Sequence, residues 1–405
     1  VSQESFIRQN YRIYPTKEQQ KFLNQDMGNQ RFIWNYFLGK SIERYELEKK
    51  FYFFIEMTKQ LPDMKKDENF AFLKLGGSQS LQVTCETLSK ALSGSFKSTK
   101  NTVRKGFPKF KKKTSTGSVV YPQKVKLVDG KLRIPKLKSD IKIVGGYDLP
   151  EKYFSVTITR STSGQFYASF VVPTTLPDKI QINANSKAVG IDLNSQHIMV
   201  LDDGSAVVNP KHLLEKEKRL KRYQRAFSRK QKGSSNKNKA RVKLAKLHEK
   251  VANSRKDFVE KLTLDVVKNN DIIVIEDLNV KAMQKWNGRM VQSAPFGMIR
   301  SKLTWKANKL GKHLVVINRF TPTSKVCSEC GQIHEIDLST RWLSCDCGAS
   351  LHRDHNAAVN ILNAGLQNIE AGTAFQACGE TKVHDLSNEI RWVSLKQEDA
   401  VLFLA

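Results

Sequence analysis

Three acidic residues, far apart in the chain, each close an apolar stretch or open a helical one: Asp192 in AVGIDLNSQHIMVLDDG, Glu276 in DIIVIEDL and Asp354 in LHRDHNAAVNIL. Carboxylates are hard oxygen donors. Mg2+ keeps several of its waters and takes only one or two carboxylates, so three such residues suffice for a pair of ions with one acid shared. Two ions about 4 Å apart activate a water, neutralise charge on a phosphate and stabilise the leaving oxygen, which is the chemistry of phosphodiester hydrolysis. Each acid also has a plainer explanation. An Asp after an apolar strand commonly opens a turn, and an Asp at a helix start satisfies the dipole. Glu276 resists that explanation, because a carboxylate closing the run IIVI must leave the core or meet a cation. Asp277 stands beside it, and composition does not choose between the two.

Four of the six cysteines, Cys327, Cys330, Cys345 and Cys347, cluster between Glu276 and Asp354. Cys-x2-Cys, then fourteen residues, then Cys-x-Cys-Gly reads as the two knuckles of a zinc ribbon, a closed thiolate site that is structural rather than catalytic. Asp346 alone separates the second pair, so His334, His352 or His355 is kept as a substitute for one thiolate. Four free buried thiols are the plain alternative. Clustering of this kind fits a metal site in a reducing compartment better than a disulfide framework. Cys85 recurs with Leu81, Leu88, Leu92 and Phe96 at helical spacing and reads as a small core residue, while Cys378 stands alone.

The 405 residues carry 68 Lys+Arg against 39 Asp+Glu, a formal charge of +29. Self-repulsion on that scale opposes compaction unless a polyanion is bound, and nucleic acid is the expected one. A membrane partner is not expected, since no basic amphipathic stretch shows an aromatic face and no apolar run is long enough to span a bilayer. The opening residues, VSQESFIRQN, lack a signal-peptide core, so a cytoplasmic, nucleoid-associated, prokaryotic protein is expected. The charge is concentrated. Residues 215–256 hold seventeen Lys or Arg against three Glu, a net +14, and include Arg222, Arg225, Arg229 and Lys230. Seven of the fourteen residues from Lys100 to Lys113 are basic, among them Lys109, Lys111 and Lys112 of GFPKFKKK. Both stretches should neutralise phosphates without reading sequence.

These residues need elements to position them. A strand-like opening meets Thr16-Lys-Glu-Gln19, a capping-box signature for a first helix, and a second helix follows with Trp34, Phe37, Leu38, Ile42 and Tyr45 on one face. The helix of Cys85 is the third. To about residue 180 the pattern turns β, with hairpin signals at Asp129-Gly130 and Ser163-Gly164. A helical insert and a small antiparallel barrel or sheet result. From 186 a strand turns through Asn194-Ser195 into a second strand. A basic helical region from about 211 to 268 follows, split at Gly233-Ser234-Ser235-Asn236. DIIVIEDL reads as a strand buried on both faces, KHLVVINRF as another after a helix at Ile299–Leu310, and the end of the chain beyond 375 as loosely ordered. Strand ends bearing Asp192 and Glu276, with Asp354 at a helix start, fit an RNase H-like sheet.

The ordered set VGIDLNSQ, KRYQRAFSRKQKGSSNKNKARVKLAKLHEKVANSRKDFVEKLT, IVIEDLNVKAM, RFTPTSKVCSECG and HRDHNAAVNIL resembles the TnpB family, RNA-guided DNA nucleases of bacterial insertion sequences related to type V CRISPR effectors. RFIWNYFLGKSIERY and GFPKFKKK carry the likeness into the N-terminal half. The resemblance implies that the metal-binding acids are Asp192, Glu276 and Asp354, choosing Glu276 over Asp277, with two Mg2+ in one site that cuts both DNA strands in turn. It implies a guide RNA from the same mobile element that pairs with target double-stranded DNA, held by the protein through shape and backbone. A short motif beside the target would be read near Tyr52, Ser78 and Gln82. The implied fold is multidomain α+β. A helical recognition domain (16–105) is inserted in a small β-barrel wedge domain (1–15 and 106–182). An RNase H-like (RuvC) α/β nuclease domain (183–320 and 350–375) follows, with a zinc ribbon insert (321–349) and an end segment (376–405). A monomer is favoured. Two departures stand out: the family usually has two residues inside the second cysteine pair, and often an Asp where His352 stands. The rival expectations are a transposase or resolvase of the same fold that needs no RNA, and a nuclease-dead RNA-guided repressor, which should have lost one of the three acids.

Overall fold

The computed structural model describes residues 3–96, 106–113, 116–145, 148–337 and 340–371. The expected loose end from 376, Cys378 and the first part of the basic run from Lys100 lie outside the described residues. The chain divides into two units, Phe6–Thr174 and a second made of Val1–Ser5 with Thr175–Ala405.

In the first unit, β1 (Gln3–Tyr14) leads into α1 (Lys17–Glu48), α2 (Phe54–Lys66) and α3 (Ser78–Phe96). Then come β2 (Gly117–Tyr121), β3 (Lys126–Val128), β4 (Lys131–Arg133), β5 (Ile141–Val144), β6 (Ser155–Arg160) and β7 (Phe166–Leu176). The Thr16 capping box forms: Gln19 N donates to Thr16 Oγ1 at 3.4 Å and Thr16 N to Gln19 Oε1 at 2.8 Å. The two helices expected next are one helix of 32 residues. Gly28 inside it costs about 1 kcal/mol relative to Ala, too little to break a helix whose buried face runs from Leu23 to Leu38. The helix α2, with Pro62 inside it, was not foreseen. Leu81, Cys85, Leu88 and Leu92 of α3 are fully buried against Ile33, Phe37 and Leu38 of α1, so Cys85 is the core residue its spacing indicates. The strands make one seven-stranded sheet in the order β2-β6-β7-β1-β5-β4-β3, with β2 and β3 at its edges. Asp129 and Gly130 both take positive φ (47° and 69°) in the β3–β4 turn, as a two-residue hairpin requires.

The second unit contains β8 (Ala188–Asp192), β9 (His197–Leu201), β10 (Ala206–Val208), α4 (His212–Ser228), α5 (Ser235–Asn269) and β11 (Ile272–Glu276). It continues through α6 (Val280–Ser293), α7 (Phe296–Lys309), β12 (His313–Ile317), β13 (Trp342–Ser344), β14 (Ser350–His352) and α8 (Arg353–Glu370). Five strands form a sheet in the order β10-β9-β8-β11-β12. β8, β11 and β12 are parallel, and β9 runs against both of its neighbours. Side chains alternate across it. Val189, Ile191, Ile273 and Ile275 pack with Val259 and Val266 of α5 and Ile299 and Leu303 of α7. Ile272 and Val274 pack on the other face with Ile361 of α8. That double cover explains why DIIVIEDL is apolar throughout.

Two glycines seat α8 against the sheet. A Cβ on Gly190 would lie 2.2 Å from the Ala358 carbonyl oxygen, and one on Gly365 would lie 2.3 Å from a methyl of Val274. The fold is mixed α/β, and among the described residues no helix is long and apolar enough to cross a membrane.

Candidate functional site

Ile191 of β8 is in register with Ile275 of the parallel neighbour β11, so Asp192 and Glu276 are the next residues on adjacent strands. They lie two positions beyond Gly190 and Val274, and therefore leave the sheet on the face covered by α8. The first turn of α8 supplies Asp354, which is 8% exposed. Asn194 joins two of the three: its Nδ2 donates to Asp192 Oδ2 at 3.1 Å and to Asp354 Oδ2 at 3.0 Å. Burial first, then the negative charges of Asp354 and Glu276, push Asp192 up to about 7 against the opposing pull of the Asn194 bond and the positive charge of Arg353. Burial and the neighbouring charge of Asp277 raise Glu276 above its ordinary value. None of the three is paired with a lysine or arginine among the described residues.

Asp277 is differently placed. Arg319 and Arg300 both bond its carboxylate and hold it below the usual range, so its charge is already matched. His352 caps α8, its Nδ1 accepting from Asp354 N at 3.3 Å. The same Nδ1 lies 3.9 Å from Asp354 Oδ2. Trp342 stands edge-on to the ring at 5.9 Å.

Chemically, these are acids with oxygen donors to offer and no salt bridge to a lysine or arginine among the described residues, although the charge of Arg353 reaches Asp192. The carboxylates are not gathered as closely as the cysteines, which among the described residues form the group of metal-ligating atoms lying within 4.8 Å of one another.

The cysteine knuckles are alike in construction. Cys327 N donates to Gln332 O at 2.9 Å and Gly331 closes the turn at φ 78°. Cys345 N donates to Ala349 O at 2.9 Å and Gly348 closes it at φ 92°, one residue sooner. A left-handed glycine directly after the second cysteine lets the shorter loop turn as tightly as the longer one. All four sulfurs therefore meet, with Cys327 to Cys347 at 3.7 Å and Cys330 to Cys345 at 3.4 Å. No histidine is needed to complete four ligands, since the four cysteine sulfurs form the group by themselves, and His355 Nε2 bonds Asp202 O at 2.9 Å. A cluster of four thiols at this spacing fits a tetrahedral zinc ion.

Hydrogen bonds tie this cluster to the carboxylates. Asn356 and Asn360 of α8 donate to Val326 O at 2.6 Å and 2.7 Å, and β14 runs directly into the helix start that carries Asp354.

The basic residues fall into separate places. On α4 and just after it, Arg222, Arg225, Arg229 and Lys230 are all exposed. Segment 106–113 is stitched along α1: Trp34 Nε1 donates to Lys109 O at 3.0 Å, and Asn35 exchanges bonds of 2.9 Å and 2.7 Å with Lys111. Lys109 and Lys112 face solvent. Lys111 is exposed as well, and its Nζ lies 3.8 Å from the Trp34 ring centre. Ser78 and Gln82 are exposed one turn apart at the start of α3, with Lys65 Nζ donating to Ser78 Oγ at 2.8 Å. Tyr52 sits in the α1–α2 linker under the Arg44 guanidinium, 4.6 Å from its ring centre, and no bond joins it to Ser78 or Gln82 among the described residues.

Two features escaped the sequence. Asn194 was taken only as a turn residue, although an Asn two places after a candidate metal acid was a usable signal. Lys17, Lys21 and Arg31 line a polar groove of about 710 Å3 with Gln20, Asn24 and Lys113. Their spacing along one helix face was legible, but it is masked by the mixed composition of α1.

Known proteins with similar sequences match along the length of the chain. The OrfB_IS605 family, described as "Probable transposase", matches residues 171–287, and the Cas12f1-like TNB domain matches 296–361. A helix-turn-helix family matches 7–50, where the structure has a strand and one uninterrupted helix. A Streptomyces pristinaespiralis protein named "Putative RNA-guided DNA endonuclease" is 34% identical over 378 residues, 91% of this chain and 90% of its own. An Escherichia coli K12 protein named "Putative RNA-guided DNA endonuclease InsQ" is 31% identical over 396 residues, 91% of this chain and 93% of its own. A mimivirus "TnpB-like protein" is 34% identical over 132 residues, 31% of this chain and 25% of its own. With identity above 30% sustained over 91% of its length, the chain belongs to the TnpB family.

Proposed function

We propose that the protein is an RNA-guided, Mg2+-dependent endonuclease that cuts double-stranded DNA, with a guide transcribed from the same mobile element. The names of its relatives support the activity, and the single observation that carries the mechanism is the convergence of Asp192 and Asp354 on Asn194 beside Glu276. The sheet order β10-β9-β8-β11-β12, with only β9 reversed among the first-to-last parallel strands, supports an RNase H-like nuclease domain. The wedge, recognition, nuclease and ribbon boundaries given above are part of the proposal.

Asp192, Glu276 and Asp354 are the residues that would hold two Mg2+, with Asp192 shared. When bound, the ions supply an activated water and neutralise charge at the scissile phosphate. The chain itself fixes the acids on two strand ends and a helix start, elements rigid enough to keep their spacing. Asp277 is excluded from the set by its two arginines. Cys327, Cys330, Cys345 and Cys347 would hold one structural zinc. Arg222, Arg225, Arg229, Lys230, Lys109, Lys111 and Lys112 contact phosphates. Tyr52, Ser78 and Gln82 read the motif beside the target, Gln and Ser being able to reach base edges.

The test is Asp192→Ala. Guide and target binding should persist while cleavage of motif-flanked DNA disappears, and undiminished cutting would remove the acids from the mechanism. The RNA that copurifies with the chain should be a single transcript of defined length. Full cleavage by RNA-free protein would replace this proposal with an unguided nuclease.

A further inference from the structure

We infer that Asn194 is a positioning residue that stands in for a cation between Asp192 and Asp354, and so presets their separation before metal arrives. The inference rests on the metal-binding role proposed for those acids. One amide nitrogen carries two hydrogens, and each is directed to a different carboxylate, at 3.1 Å to Asp192 Oδ2 and 3.0 Å to Asp354 Oδ2. The other end of the amide is pinned: Oδ1 accepts from His197 N at 2.8 Å and Gln196 N at 3.1 Å. Flipping the group would aim an oxygen at two carboxylates and an NH2 at two N–H donors, so the backbone of the β8–β9 turn fixes which end faces the acids.

No other side chain donates a hydrogen bond to Asp192 or Asp354 among the described residues, since the His352 Nδ1 beside Asp354 is an acceptor. Two carboxylates from elements far apart in sequence thus share one neutral donor. Without it they would spread, and a cation would have to bring them back at the moment of binding. A prearranged pair loses less on closing around an ion. The same side chain also shapes the turn, and the two roles separate by substitution. Asn194→Asp keeps the oxygen that accepts from Gln196 and His197 but replaces the bridging donor with a third negative charge. Asn194→Ala removes both.

The experiment measures melting of the full-length, zinc-loaded chain, freed of nucleic acid, first dialysed free of Mg2+ without a chelator, so that the zinc stays in place, and then with Mg2+ titrated in. In the metal-free state Asn194→Asp should melt lower than the wild type by about 2–4 °C. Mg2+ should raise it by more than it raises the wild type, because the ion replaces the lost donor. Adding Asp192→Asn to Asn194→Asp should restore the metal-free melting point, since one of the charges to be bridged is gone. Melting and Mg2+ response of Asn194→Asp equal to wild type, with a loss only in Asn194→Ala, would reduce Asn194 to a turn residue and overturn the inference. A wild-type chain whose melting point ignores Mg2+ would overturn the metal role of the acids, and the inference with it.

Discussion

At the level of single residues, the acids are poised between two demands. A carboxylate whose folded value stands near 7 against an ordinary 3.8 is destabilising when ionised. Its favourable contribution is complete below the unfolded value and lost as pH rises through the folded one. Asp192→Asn should therefore raise the melting point of the metal-free chain at about pH 8 while abolishing cleavage; a lowered melting point would mean that the charge is already compensated. Protons and Mg2+ compete for the same oxygens. The Mg2+ concentration for half-maximal cleavage should rise as pH falls below about 7, approaching tenfold per pH unit, and a flat profile from about pH 5 to 8 would show that Asp192 stays ionised without metal. Asp277→Asn offers the contrast. It should cost stability by releasing Arg300 and Arg319, yet leave cleavage measurable, whereas Glu276→Gln should not. The sequence alone left those neighbouring acids undecided because both follow the same apolar run. What separates them is which face of the strand each leaves by and where two arginines from distant segments arrive, and neither is a local property. Asp192 and Asp354 were readable, as each sits at an element boundary that its own flanking residues define.

At the level of elements, the candidate site depends on how closely α8 lies on β8 and β11. Gly190→Ala would place a methyl group 2.2 Å from the Ala358 carbonyl oxygen and 2.7 Å from Leu362 Cβ. Overpacking of this kind costs about 1–3 kcal/mol. Because α8 carries Asp354, cleavage should fall far more than stability; a variant that melts lower but cuts at the wild-type rate would uncouple the helix seat from the chemistry. Zinc should act through the same helix. Cys347→Ser loosens the short knuckle whose strand β14 leads into Asp354, and a misplacement of about 1 Å costs roughly 100-fold in rate. Reduced cutting with guide RNA still bound is the expected result, and equal losses of both would make the ribbon a general scaffold instead. Elements with strong local signals were legible: the Thr16 cap, the Asp129-Gly130 turn, the split basic helices and the buried strand. The joining of two expected helices into α1 was not, because a lone Gly28 looks like a break in sequence, while the packing that overrides it comes from Leu61, Leu81 and Leu88. The shortened cysteine pair likewise looked doubtful until Gly348 took up the difference with its backbone.

Across the whole molecule, binding should be dominated by charge. Guide affinity should fall steeply with salt, and replacing Lys17, Lys21 or Arg31 of the groove by Ala should each reduce the slope of that dependence by about one. An unchanged slope would show that the groove faces solvent when the RNA is bound. The excess positive charge was apparent from composition, but its partition among surfaces was not. Lys111 is drawn against Trp34 while Lys109 and Lys112 beside it are not, and Lys17 and Lys21 of the groove are scattered through an unremarkable helix. The uneven placement of that charge reaches beyond binding. Residues 215–256 hold a net +14, nearly half of the +29 of the whole chain, on one helical hairpin. Such a hairpin strains against itself until a polyanion lies along it, so a newly made polypeptide without its transcript should open readily and meet proteases first at α4 and α5. If the proposed function holds, the lifetime of the protein would then follow the supply of its guide, and loss of the RNA would disarm it by turnover alone.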